Sequence, residues 1–152
     1  MLEEGHAVRV STRTEAGRAA IEVLGAECWI GTPDRLATMR GALENVTVIC
    51  WLLGSATGSL PTLEALHARR LEFFLTQAID TTARGFVYES SGAPAAAQLL
   101  REGEAIVRTL TERNAIPTAF VSAGHDDLDA WLAEASAAVA SLLAGASSPG
   151  SL

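Results

Sequence analysis

Residues 46–59 read VTVICWLLGSATGS, and this stretch decides the fold. Its first eight residues, 46–53, are apolar on both faces of an extended chain, with Thr47 the one clear exception. A strand with one wet face alternates apolar and polar side chains, whereas a strand covered by helices on both faces need not. The stretch therefore predicts a central strand of a parallel sheet. It gives way to a loop of glycines and hydroxyls at 54–59 and then to a long helix expected over 61–80. In such a strand–loop–helix unit the loop lies at the carboxyl edge of the sheet, where open α/β sheets bind ligands.

The pattern repeats on either side. Upstream, residues 6–12 (HAVRVST) are β-rich, 15–24 read as a short helix ending at Gly25, and 26–30 (AECWI) read as a second strand. The GTPD turn at 31–34 is expected to open a helix reaching Leu43, with Pro33 in the first turn, where a missing amide is tolerated. Downstream come a strand at 85–90, a helix at 95–114, a strand at 118–122 and a last helix at 126–143 with Asp126 as its N-cap. Strand and helix alternating in this way imply right-handed crossovers and an α/β fold, a three-layer, Rossmann-like doubly wound parallel sheet of about five strands. Residues 1–144 are expected as one domain and 145–152 (GASSPGSL) as a flexible tail.

Composition narrows the function. With 49% hydrophobic and 19% charged residues, the 152-residue chain suits a folded domain. A net charge of -7 and no basic stripe argue against nucleic acid or an anionic membrane as partner. No unbroken apolar run approaches the roughly 20 residues of a membrane span, and the first residues lack signal-peptide features. A cytoplasmic location is expected, with Cys28 and Cys50 as buried, reduced thiols and no metal motif.

Five phrases in order carry a resemblance: LEEGHAVRV at 2–10, GAECWIG at 25–31, LENVTVI at 43–49, RGFVYESS at 84–91, and EGEAIVR with IPTAFV at 102–121. Together, over residues 2–124, they resemble the NAD-dependent epimerase/dehydratase family, the extended and atypical short-chain dehydrogenases. The resemblance implies an NAD(P)-binding Rossmann domain without its first βα unit. The family's first strand and glycine loop, which hold the cofactor's pyrophosphate at a helix N-terminus, have no counterpart here. In the family's strand order the missing strand lies between the strands at 6–12 and 46–53. Either those two close up, or another chain fills the gap, or the sequence is a truncated form of a longer protein, which is the favoured expectation.

The resemblance also implies a set of cofactor-binding residues. Arg13 falls where the family meets the adenosine ribose, and a guanidinium there suits the 2′-phosphate of NADP better than NAD. Thr32 stands where relatives carry an aspartate against adenine. Leu53 and Gly54 begin the loop that passes the cofactor's ribose. Ser90 and Ser91 stand where relatives hold the substrate's reacting oxygen. Each has an ordinary alternative: a solvated arginine, a turn residue, loop punctuation, a strand end.

The family's proton transfer needs a tyrosine with a lysine four residues on, the lysine lowering the tyrosine's pKa. Here the sole tyrosine, Tyr88, lies inside a strand, and the chain contains no lysine. Residues 94–101 offer only Gln98 and Arg101 in the expected place. No catalytic residue and no metal ligand are therefore expected. A triad of Ser91, His125 and Asp126 or Asp127 lacks the G-x-S-x-G elbow and is set aside. His6 and His67 are expected to be structural. Two functions remain: an NAD(P)-binding protein without standard oxidoreductase turnover, and a noncatalytic scaffold. The scaffold would form a homodimer through its sheet edge or the final helix, whose Leu128, Trp131, Leu132, Ala135, Val139 and Leu142 fall on one stripe.

Overall fold

A computed structural model describes residues 1–147, and the contacts divide them into two units, Met1–Glu44 and the chain from Asn45 on. Within each unit the strands pair in parallel. In the first unit β1 (Arg9–Thr12) is followed by a 3-10 turn, the short helix α1 (Arg18–Glu22) and β2 (Glu27–Ile30). Arg9 lies opposite Glu27 and Thr12 opposite Ile30. Gly25, at φ 84°, makes the left-handed reversal that ends the α1 segment. The Arg9 guanidinium ion-pairs with Glu27 at 2.9 Å and donates to the carbonyls of Ala42 and Glu44 at 2.8 and 3.0 Å.

The helix expected from Pro33 to Leu43 does not form. Two 3-10 turns, Leu36–Met39 and Gly41–Leu43, take its place. The Trp29 indole donates to the Thr38 carbonyl at 2.7 Å and ties this segment to β2. A side chain at Gly41 would also run into the Trp29 ring. The tryptophan wins over local propensity.

In the second unit β3 (Val48–Trp51), β4 (Gly85–Glu89) and β5 (Thr118–Val121) form a parallel sheet in the order β3-β4-β5. Val48 pairs with Gly85 and Phe86 with Thr118. The central strand β4 is buried along its whole length. Val87 points to one face, where it packs with Val121 and with Ala138, Val139 and Leu142 of α5 (Leu128–Ser147). On the other face Tyr88 reaches the Leu100 carbonyl of α4 (Ala97–Arg113), and Trp51 of β3 stacks at 4.9 Å on Phe74 of α3 (Arg69–Ile79). Helices thus cover both faces, the doubly wound arrangement expected from the apolar strands. Each fully buried Val or Leu in these layers contributes about 1.5–3 kcal/mol.

Among the described residues, the strands are divided two and three between separate sheets. β1 and β3 are the strands that the resemblance leaves without a shared neighbour. Each pairs with one strand among the described residues, β1 with β2 and β3 with β4.

Three further expectations are corrected. The helix expected over 61–80 is two helices, α2 (Leu60–His67) and α3, broken at Ala68 with φ −124° and ψ −97°. The cap of α5 is Asp127, whose carboxylate accepts from the Ala130 amide at 3.0 Å, not Asp126. The cysteines are free but not buried: Cys28 is half-buried and Cys50, on the edge strand β3, is exposed.

The apolar stripe of α5 is only partly inward. Val139 and Leu142 are buried and Trp131 and Ala135 pack beside them, but Leu128 and Leu132 are 55% and 48% exposed. Trp131 takes the inward position in the first turn and leaves its two leucine neighbours outside. By length and composition alone, residues Leu128–Ala146 of this helix are long and apolar enough to cross a membrane. The helix continues through Ser147, and residues 148–152 of the expected tail lie outside the described residues.

Candidate functional site

The parallel sheet of the second unit presents its carboxyl edge through three loops: 52–59 after β3, 90–96 after β4 and 122–127 after β5. The side chain that joins them is Glu89, the last residue of β4, with no solvent exposure at all. Its Oε2 accepts from the Gly54 amide at 2.6 Å. Its Oε1 lies 2.6 Å from His125 Nε2 and accepts from the Trp131 indole at 2.8 Å. A buried carboxylate is tolerated when hydrogen bonds replace its water, and here the Gly54 amide and the Trp131 indole donate to it with His125 in reach.

The loop after β5 is held from several sides. Glu134 of α5 accepts from the amides of Ser122 and Ala123 at 3.0 and 2.6 Å and from the Ser122 hydroxyl at 2.8 Å. These bonds, the Ala123 amide first, hold the Glu134 carboxyl below its usual pKa. The Ser91 hydroxyl donates to the Ala123 carbonyl at 2.5 Å, and the Ser90 hydroxyl to the Val121 carbonyl at 3.3 Å. The His125 ring packs against Trp131 with centroids 4.8 Å apart.

A second buried pair lies behind the first loop. His67 of α2 is 1% exposed, and its Nδ1 lies 3.0 Å from the Tyr88 hydroxyl. The same ring hydrogen-bonds the Leu53 backbone. Burial lowers the His67 pKa and raises that of Tyr88. The Tyr88 hydroxyl lies against the Cα of Gly103, where any Cβ would collide with it. A phenol enclosed in this way is a packing group.

The residues expected to bind a cofactor fall in both units. Leu53, Gly54, Ser90 and Ser91 come together on the carboxyl edge of β3 and β4, and Gly54 is packed so closely on the Ser91 carbonyl that a Cβ has no room. Arg13 and Thr32 lie beyond β1 and β2 in the first unit. Arg13 is 71% exposed and ion-pairs with Asp34 at 2.7 Å, while Thr32 Oγ1 accepts from the Asp34 amide at 3.3 Å. The partnership of Glu89 with His125 and Trp131 is not among the sequence-based expectations. Its one signal is a carboxylate closing an otherwise apolar strand, GFVYE.

No protein-family model matches the chain, and no curated protein matches it. Solved structures do. The Citrobacter sp. triphenylmethane reductase complexed with NADP(H) superposes with a TM-score of 0.57 at 15% identity, covering 74% of this chain and 38% of that one. A second structure of the Citrobacter sp. reductase gives 0.57 at 17% identity over 74% and 38%. The structure of gox2253 gives 0.63 at 19% identity, covering 80% of this chain and 44% of that one. The chain spans less than half the length of each of these proteins. At such identities the likeness is one of fold: this is a Rossmann-like α/β protein, of the architecture found in an NADP(H)-bound reductase.

Proposed function

We propose that the chain binds a nicotinamide dinucleotide, NADP in preference to NAD, and that it does not carry out the tyrosine–lysine proton transfer of short-chain dehydrogenases. The observation that carries this reading is the structural likeness to a reductase solved with NADP(H). Arg13 is exposed and gives one terminal nitrogen to Asp34, so its remaining N–H groups suit a 2′-phosphate. The loops at 52–59, 90–96 and 122–127 contain no arginine or lysine, so they suit the uncharged ribose and ring and not a pyrophosphate. When bound, the dinucleotide supplies hydride chemistry.

The test is a titration of NADPH and NADH into the folded chain, followed by nucleotide fluorescence and thermal shift. A ligand at 100 times its dissociation constant should add about 2.7 kcal/mol of stability. A folded chain that neither nucleotide stabilises overturns the reading. A scaffold role is favoured by one other observation, the exposed Leu128 and Leu132 on α5. It predicts a homodimer by light scattering that Leu132→Glu dissociates.

A further inference from the structure

We propose that Glu89 and His125 form a proton-accepting dyad on the carboxyl edge of the β3-β4-β5 sheet, with His125 as a general base toward a hydroxyl of a neutral, sugar-like ligand. Glu89 is the positioning residue. Both Glu89 oxygens already accept, from the Gly54 amide and the Trp131 indole, so the 2.6 Å contact is read as a donation from His125 Nε2. The neutral ring then carries its proton on Nε2 and keeps a lone pair on Nδ1. The Glu89 side chain is fully buried whereas that of His125 is 41% exposed, so the dyad has a fixed inner end and an outer end that a ligand can reach.

The ring's position is over-determined. Trp131 both packs against the imidazole at a 45° tilt and donates to the same Glu89 oxygen. Glu134 and Ser91 hold the residues just before it, at Ser122 and Ala123. A base that must meet its proton within hydrogen-bond reach needs this kind of support. In the transfer itself, the ligand's O–H bond breaks and an N–H bond forms at Nδ1. The electron pair stays on the ligand oxygen, and Glu89 balances the new imidazolium charge.

The ligand class follows from charge. The three edge loops contain no arginine or lysine, and Asp126 and Asp127 follow His125 directly. An anionic ligand group would be repelled there, whereas a neutral polyol would not. Ser91 is not the nucleophile of a triad, because its hydroxyl is given to Ala123. The proposal rests on this edge taking a ligand, as the dinucleotide reading also does, but it does not need that ligand to be a dinucleotide.

The experiment is nitrogen-15 NMR of the histidine rings in the full chain, with D-ribose as the probe. The neutral His125 ring should show Nε2–H with an unprotonated Nδ1, and ribose should shift the Nδ1 resonance saturably while leaving His6 unmoved. Glu89→Gln, checked for folding by circular dichroism, should lose the single tautomer and the ribose response. A ring protonated at Nδ1, or one indifferent to ribose, overturns the proposal, and neither result depends on a variant folding. Stabilisation by NADPH with no response of His125 to ribose would leave dinucleotide binding standing and remove the dyad. A ribose response without dinucleotide binding would do the reverse.

Discussion

The amide of Gly54 and the carboxylate of Glu89 meet at 2.6 Å, fastening the loop after β3 to the end of β4. A Cβ at residue 54 would meet the Ser91 carbonyl and come within 2.9 Å of the Glu89 side chain. Gly54→Ala should therefore push the two loops apart and cost about 1–3 kcal/mol, the usual range for overpacking. Urea denaturation reads this directly. An unchanged midpoint would mean that the loops give way freely.

Removing the carboxylate is a different insult. Glu89→Ala leaves the Gly54 amide and the Trp131 indole without their acceptor in a closed site. Each buried unsatisfied donor costs about 1–3 kcal/mol, so the total should exceed that of Glu134→Ala, whose partners lie nearer solvent. The order of the two denaturation midpoints is the check.

Acid should weaken the fold in two stages. His67 is buried with its pKa lowered, so unfolding lets it take up a proton once the pH falls below about 6.5. Stability is thus lost as pH drops from there through the folded value, and His67→Gln should flatten that limb. Glu134 also has a lowered folded pKa, so its contribution is present above the ordinary carboxylate value of 4.5 and fades below it. Glu134→Gln should remove pH dependence only in this lower window. Stability curves that keep their slopes in both variants would refute the assignment.

Helix α4 ends with Ala115 at φ 53°, a left-handed conformation that costs a residue with a Cβ. The amide of Ile116 returns to the Thr111 carbonyl at 2.9 Å, the closure that favours glycine at this position. Ala115→Gly should stabilise the protein by about 1 kcal/mol, measured as a rise in Tm.

Arg13→Ala tests the cofactor preference. Its pair with Asp34 is exposed, so stability should change by less than about 1 kcal/mol. Loss of a charge-assisted contact of about 1.5 kcal/mol should weaken NADPH binding about tenfold and leave NADH binding unchanged. Equal loss for both nucleotides would place the arginine elsewhere than at the 2′-phosphate.

The strands are legible because burial on both faces leaves runs such as VTVICWLL, and an apolar run as short as GFVY, between an arginine-glycine turn and a serine pair, suits a central strand. The missing helix after Pro33 is not legible, because Trp29 ties the Thr38 carbonyl to β2 and its ring occupies the space beside Gly41, contacts that no local pattern announces. The break at Ala68 lies in LHARRL, which has neither glycine nor proline, and nothing in the structure explains it. At the candidate site, the Gly54 loop and the serine pair can be placed because they follow strands. Glu89 and His125 cannot be joined in the same way, since they lie 36 residues apart and meet only when β4 and β5 are side by side. Whether a carboxylate in a strand faces water or a histidine is a tertiary fact.

Trp131 touches both members of that pair, packed against one and hydrogen-bonded to the other. Its excited state therefore samples the charge of the imidazole at van der Waals range, while Trp29 and Trp51 lie on strands β2 and β3. The emission of this one indole, isolated by replacing the other two with phenylalanine, gives the molecule an optical gauge of its own histidine, read without any added dye.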